Sequence, residues 1–236
     1  MQNTLAIARR QFASYFNGPV AYIVICVVLL ILGFLFWQTF FLYRLATARE
    51  MFTWLPVLLL VAAPALTMGT LAEEKRSGTI ELLLTMPVRD WEVIMGKFLG
   101  VLGLYAVMLL LTLPYPISVS TLGKLDTGPV LSGYVGLLLQ GSVMLTIGLA
   151  ASSWTENQLV ALFSSAFACF VFWLLDKVLV FMPASLATML EWLSFGYHLR
   201  GMIRGVIDTR DVVYFVSFAA LMLMVAFRGL ESRRWR

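Results

Sequence analysis

Six long apolar segments recur along the chain, near residues 20–42, 53–72, 93–122, 130–153, 158–182 and 211–229. Each matches the roughly 20 apolar residues that a helix needs to cross a bilayer. Helices are the expected form, because backbone polar groups in lipid must be satisfied internally. The second segment contains Pro56 and Pro64, and the third contains Pro114 and Pro116. A kink or a broken end is therefore expected in the third. Ahead of the first segment, residues 1–17 place Leu5, Ala8, Phe12 and Tyr15/Phe16 at helical spacing, with Arg9, Arg10 and Gln11 mostly off that face. This pattern predicts a short helix in the membrane interface, ended by Asn17-Gly18-Pro19. Between the fifth and sixth segments, Leu186, Met189, Leu190 and Leu193 are again helically spaced and lead into "YHLRGMIRGVIDTRD". One or two short outer helices are expected there. Asp208 is placed to cap the last span, with Asp211 three residues on completing a capping-box-like start. The expected fold is a single all-α membrane domain over residues 1–236.

Composition strengthens this reading. Of the 236 residues, 61% are hydrophobic and 13% charged, against about 25% charged in a soluble domain. The polar residues are too few to cover a water-exposed core. Arg9-Arg10-Gln11-Phe12 resembles a twin-arginine export signal. The apolar run after it exceeds a cleavable core of about 7–15 residues, so it reads as a retained span with the arginine pair as its anchor. The net charge of +4 is read loop by loop and does not point to nucleic acid. With the N-terminus inside, ten of the 17 lysines and arginines lie on the inner side, so both termini are expected in the cytoplasm. Cys26 and Cys169 lie singly in apolar runs and read as small buried hydrophobes.

The richest charge cluster, "LAEEKRSGTIELLLTMPVRDWEVIMGKF" from Leu71 to Phe98, falls on the inner side between the second and third segments. Glu73, Glu74, Lys75 and Arg76 mark the end of a span, and Ser77-Gly78 is a break. Thr79 to Met86 has the length of two helical turns. On such a helix Ile80, Leu83 and Leu84 share one face, and Ser77, Glu81 and Thr85 another. Pro87 stops it. Asp90 is the expected N-cap of the next helix, with Glu92 in its first turn. One reading is an amphipathic loop resting on headgroups. The other is a docking helix, an apolar knob for a partner's groove with flanking charges that set orientation.

The stretch "EEKRSGTIELLLTMPVRDWEVIMGKFLG" resembles the cytoplasmic connection between spans two and three of type-2 ABC transporter permeases. More narrowly, "YHLRGMIRGVIDTRDVVYF" followed by "FRGLESRRW" resembles the gliding-motility (GldF-like) branch, related to NosY-like permeases. The likeness covers essentially the whole chain. It implies one transmembrane half of an ABC transporter that docks a separate cytoplasmic ATPase through a coupling helix. The implied partners are that ATPase, a second permease copy or paralogue, an envelope or accessory protein, and the lipid bilayer of a bacterial inner membrane. The implied coupling element comprises Glu73, Glu74, Arg76, Thr79, Ile80, Glu81, Leu83, Leu84, Pro87 and Arg89. His198, Arg204, Asp208 and Asp211 match the outer motif, to which no chemical role attaches.

Catalytic alternatives find little support. A phosphate-cradling P-loop needs G-x-x-x-x-G-K-[ST]. Gly-Lys occurs at 96–97 and 123–124, but Phe98 and Leu125 follow, and Trp91 and Ser118 stand where the leading glycine belongs. ATP and Mg are therefore expected in the partner, with no cofactor in this chain. An intramembrane serine protease needs a Gly-x-Ser-Gly setting and a facing histidine. Val130 precedes Leu131-Ser132-Gly133, and the single histidine, His198, lies in the outer connection. That same count excludes an HExxH zinc site. The twelve methionines are scattered through apolar runs and read as core filler. No span carries a central ladder of acids, which argues against a self-sufficient channel or secondary transporter; a membrane scaffold recruiting a soluble partner is the remaining alternative. Finally, Gly96, Gly100 and Gly103 form one smooth stripe, and Gly141, Gly148, Ala151 and Ser152 form another. Both permit close helix contact, within the bundle or between permease copies.

Overall fold

The computed structural model describes residues 2–43, 48–79, 88–123, 126–178, 183 and 190–231. Among these the regular structure is entirely helical. In chain order the helices are α1 (Gln2–Asn17), α2 (Pro19–Tyr43), α3 (Arg49–Thr67), α4 (Gly69–Arg76), α5 (Asp90–Leu110), α6 (Pro114–Leu122), α7 (Thr127–Trp154), α8 (Gln158–Val178), α9 (Phe195–Ile203) and α10 (Thr209–Glu231). Six helical stretches are long and apolar enough to cross a membrane: Pro19–Leu42, Arg49–Arg76, Asp90–Thr121, Thr127–Trp154, Gln158–Val178 and Thr209–Glu231.

These spans are not equivalent. The apolar windows of spans two, three and four are 67%, 56% and 72% buried, against 28%, 17% and 22% for spans one, five and six. The core therefore lies between α3, α5 and α7, around Leu55, Leu59, Leu66, Leu104, Tyr105, Leu137 and Met144. The outer spans turn large apolar side chains away from the protein, including Phe34, Phe41, Phe163, Phe167 and Met224. In water such a surface is an aggregation hazard; against hydrocarbon it is the matching solvent.

Two of the three central spans are interrupted. In span two the hydrogen-bond ladder is interrupted just past Met68, between α3 and α4, while Met68 itself keeps helical dihedrals and its N–H donates to Pro64 O (2.8 Å). Span three breaks at Leu111–Leu113, just before Pro114 at the start of α6, as expected of a proline that cannot continue the helix. Broken backbone at membrane depth needs replacement partners. At Leu111–Leu113 the Thr112 hydroxyl donates to Leu109 O (2.7 Å) and stands 2.9 Å from the Tyr134 hydroxyl. Span four, α7, runs unbroken for 28 residues, its amino end capped by Asp126 Oδ1, which accepts the Gly128 N–H.

Each glycine stripe has a partner in the fold. Gly96 and Gly100 seat α1: a Cβ on Gly96 would lie 2.9 Å from Thr4 O, and one on Gly100 would lie 2.9 Å from Ala8 O. Gly141 leaves room for the Tyr105 ring and Gly148 for the Thr67 side chain. Both stripes thus serve packing inside one chain. Ala8 is buried and Phe12, Tyr15 and Phe16 pack against the core, as their spacing predicts, and only the start of that face departs from expectation. Leu5 is 70% exposed, whereas Gln11 lies in the seam and accepts from Lys97 Nζ (3.4 Å). The physical reason is that glycines on α5 admit the Gln11 stem, and the buried lysine needs an acceptor there.

A bulky side chain on this seat has a defined consequence. Gly100→Leu undocks α1, because the steric conflict is with backbone that cannot rotate away. Overpacking of this kind costs about 1–3 kcal/mol. Hydrogen exchange should show lost protection over residues 2–17 with the α7 core unchanged.

Candidate functional site

The charged stretch from Glu73 to Arg89 begins in the last turns of α4 and ends just ahead of α5. Ile80, Glu81, Leu83, Leu84 and Pro87, the expected centre of the coupling helix, lie outside the described residues. Its two roots are described. At the first root, α4 ends at Arg76 and Ser77 N–H donates to Glu73 O (2.9 Å). Gly78 follows with φ of +71°, the left-handed conformation that ends helices and favours glycine. The Thr79 hydroxyl is 2.9 Å from that of Ser77. At the second root, α5 starts at Asp90, so Arg89 rather than Asp90 occupies the N-cap position. The Arg89 N–H donates to Glu92 Oε2 (3.1 Å). An arginine side chain has no acceptor for the helix N–H groups, so the cap rests on Glu92 reaching back.

Both roots are tied to their neighbours by groups that an apolar segment rarely carries. Lys97, about two helical turns inside α5, is 1% exposed. It donates to Thr70 O (2.5 Å) and forms an ion pair with Glu74 Oε2 (2.7 Å). With its contact to Gln11, this one ammonium joins α1, α4 and α5. Lys75 is also buried and donates to Ser153 O at the end of α7. The neighbouring Ser152 hydroxyl accepts the Leu71 and Ala72 N–H groups (3.1 and 3.0 Å) and donates to Met68 O (3.0 Å). The Thr70 hydroxyl donates to Thr67 O (2.7 Å). The break in span two is thus closed by side chains, chiefly one serine from span four.

Opposite this end, α9 packs on the far end of α7. The Ser132 hydroxyl donates to Met202 O (2.6 Å), and Gly136 makes room for Leu199 and Met202. His198, the histidine of the connection between the fifth and sixth spans, is 1% exposed. Its Nδ1 lies 2.7 Å from Asp211 Oδ1 and its Nε2 3.1 Å from Trp192 O. The ring stacks on Tyr214 at 3.9 Å. Asp208 caps α10, its Oδ1 accepting the Arg210 N–H (2.9 Å). Asp211 is turned to His198 instead of completing a capping box, since a buried imidazole offers its carboxylate a stronger partner than a helix-end amide. Asp176, at the end of α8, takes Arg200 (2.7 Å) and Lys177 (3.6 Å). Arg204 lines a cleft of about 370 Å³ with Glu191, Tyr197 and Arg200. These contacts make the outer motif an anchor that holds α9 to α8 and α10.

Sequence reasoning misses Lys97, Lys75, Ser152 and Ser132 as a set. Lys97 and Lys75 carry a usable signal, a cation on the flank of an apolar segment. The serines carry none beyond being polar.

An all-helical bundle with three buried central spans, three lipid-suited outer spans and a charged connection pinned at both roots has the build of a membrane-embedded permease. The profile of the ABC-2 family transporter proteins matches residues 38–228, and the chain belongs to that family. It is the transmembrane permease component of an ABC transporter, not the ATP-binding subunit. No curated protein matches the chain.

Proposed function

We propose that this permease receives a cytoplasmic ABC ATPase on the Glu73–Arg89 stretch and converts nucleotide-driven movement there into work in the membrane. That work is translocation in the export direction, or force on an envelope or accessory partner. Ile80, Leu83 and Leu84 form the apolar contact. Glu73, Glu74, Arg76, Glu81 and Arg89 set its register, with Thr79 and Pro87 marking its limits. ATP and Mg are held by the partner. The permease acts as a pair, with a second copy or a paralogue, in a bacterial inner membrane with both termini in the cytoplasm. The outer stretch favours kinship with the gliding-motility and NosY-like branch.

The observation that carries this reading is the pinning of both roots. A loop that merely rested on headgroups would gain nothing from a buried lysine joining three helices at its base. A dock that passes movement inward needs stiff attachments, and Lys97, Lys75 and Ser152 make them. The test is co-purification of the full chain from its native membrane, followed by nucleotide hydrolysis in nanodiscs. An ABC ATPase in the complex, with hydrolysis altered by the permease, is expected. Its absence from intact membranes gently solubilised would sink the reading.

A further inference from the structure

We propose that α7 is the strut that links the coupling end of the protein to the outer helix α9, with Ser152 and Ser132 as its two anchoring residues. The significance of this link for transport rests on the docking reading above; the link itself does not.

Three spans form the core, and movement of α4 can pass across the membrane through any of them. Span two offers a weaker path, because the Leu71 and Ala72 N–H groups leave its helical ladder for Ser152 and it carries Pro56 and Pro64. Span three is broken at Leu111–Leu113. Span four has no break from Thr127 to Trp154. An intact helix transmits displacement as a rigid rod, whereas a broken one absorbs it at the break.

At one end, the Ser152 hydroxyl accepts the Leu71 and Ala72 N–H groups and donates to Met68 O, and Ser153 O accepts from Lys75 of α4. At the other end, the Ser132 hydroxyl holds Met202 O, the backbone of α9. The anchors are 20 residues apart on one helix, or about 30 Å at 1.5 Å per residue, the thickness of a hydrocarbon core. Both bonds end on backbone atoms of the neighbouring element. They therefore carry that element's position, not just a side chain's. Between them, Gly141 and Gly148 let Tyr105 and Thr67 lie directly against the rod, so it is guided along its length. At the far end α9 is held in turn by His198 to Asp211 and by Arg200 to Asp176. A shift of α7 is thereby delivered to the starts and ends of the outer spans.

Spatial continuity alone does not demonstrate coupling, but coupling is reciprocal by thermodynamic necessity, which gives a test from both ends. Hydrogen exchange is measured on the full chain in nanodiscs, without nucleotide or ATPase, for Ser152→Ala and Ser132→Ala. Ser152→Ala should raise exchange of the Leu71 and Ala72 amides tenfold or more, and that of the α9 amides, residues 195–203, several-fold. Ser132→Ala should raise α9 exchange and, from about 30 Å away, that of Leu71 and Ala72. The α2 amides should stay as they are. Changes confined to the substituted end in either variant would overturn the strut, as would an equal rise in every helix including α2. If Ser152→Ala does not fold, Ser132→Ala alone decides, because its distant readout is Leu71 and Ala72. Failure here leaves ATPase co-purification untouched, and failure of co-purification leaves this result standing.

Discussion

Leu83→Asp or Leu84→Asp abolishes capture of the ATPase while the permease still inserts in the membrane. On the helix expected between Gly78 and Pro87 the two leucines share a face with Ile80, and an ordinary interface has a few such apolar anchors that carry most of its energy. A carboxylate there loses the anchor's burial and adds a charge that must be desolvated against an apolar groove. The expected loss exceeds about 2 kcal/mol, roughly 30-fold in affinity. Leu83→Met should be nearly silent, because it conserves volume and polarity. Arg76→Gln and Arg89→Gln should cost under about 1 kcal/mol each and act mainly on the salt dependence of association. Binding of the purified ATPase to nanodisc-held permease, titrated at two ionic strengths, separates the two classes of variant.

Lys97→Met destabilises the full chain by about 3 kcal/mol. The ammonium is buried and serves Thr70 O, Glu74 and Gln11 together. Removing one member of a buried pair typically costs about 3–5 kcal/mol, because the other charge stays behind without compensation. Glu74 keeps 32% side-chain exposure, so water recovers part of its solvation and the lower end of that range applies. The double variant Lys97→Met/Glu74→Leu should recover part of the loss, since replacing both partners with apolar groups spares the stranded carboxylate. Lys97→Arg should not rescue, because a broad planar guanidinium cannot occupy the single point that three acceptors share. Cys169 is fully buried and supplies the reporter. In a Cys26→Ser background, a thiol-reactive dye reads the unfolding temperature in micelles, which should fall in Lys97→Met and rise again in part in the double variant.

The six spans are legible in the sequence because an apolar run of bilayer length is hard to place anywhere but in lipid. The breaks are legible in part. Proline marks the neighbourhood, but the break in span two falls just past Met68, beyond Pro64, where Ser152 from a distant span is at hand to cover it. That choice is tertiary and leaves no local trace. The glycine stripes announce close approach without saying what approaches. The N-terminal helix takes Gly96 and Gly100, and the aromatic ring of Tyr105 takes Gly141. Asp211 reads as a helix-end acid, and its spacing from Asp208 supports that. The structure gives it to His198, thirteen residues earlier in the chain, a pairing that only the turn through Gly205 brings about. Lys97 reads locally as a fragment of a phosphate-binding motif whose other residues are missing. Its actual service, tying three helices at the root of the charged stretch, depends on α1 folding back across α5, which periodicity within either segment does not reveal.

The central claim is that an ATPase sits on the stretch between Arg76 and Arg89. A photoreactive amino acid placed at Leu84 in the full chain, expressed in its native membrane and irradiated, tests it most directly, with the same group at Val213 on the exposed face of α10 as the control. A covalent adduct is expected at position 84 whose partner, identified by mass spectrometry, is an ABC ATPase, with only lipid captured at position 213. Lipid adducts alone at position 84, in membranes where the ATPase is present, would contradict it.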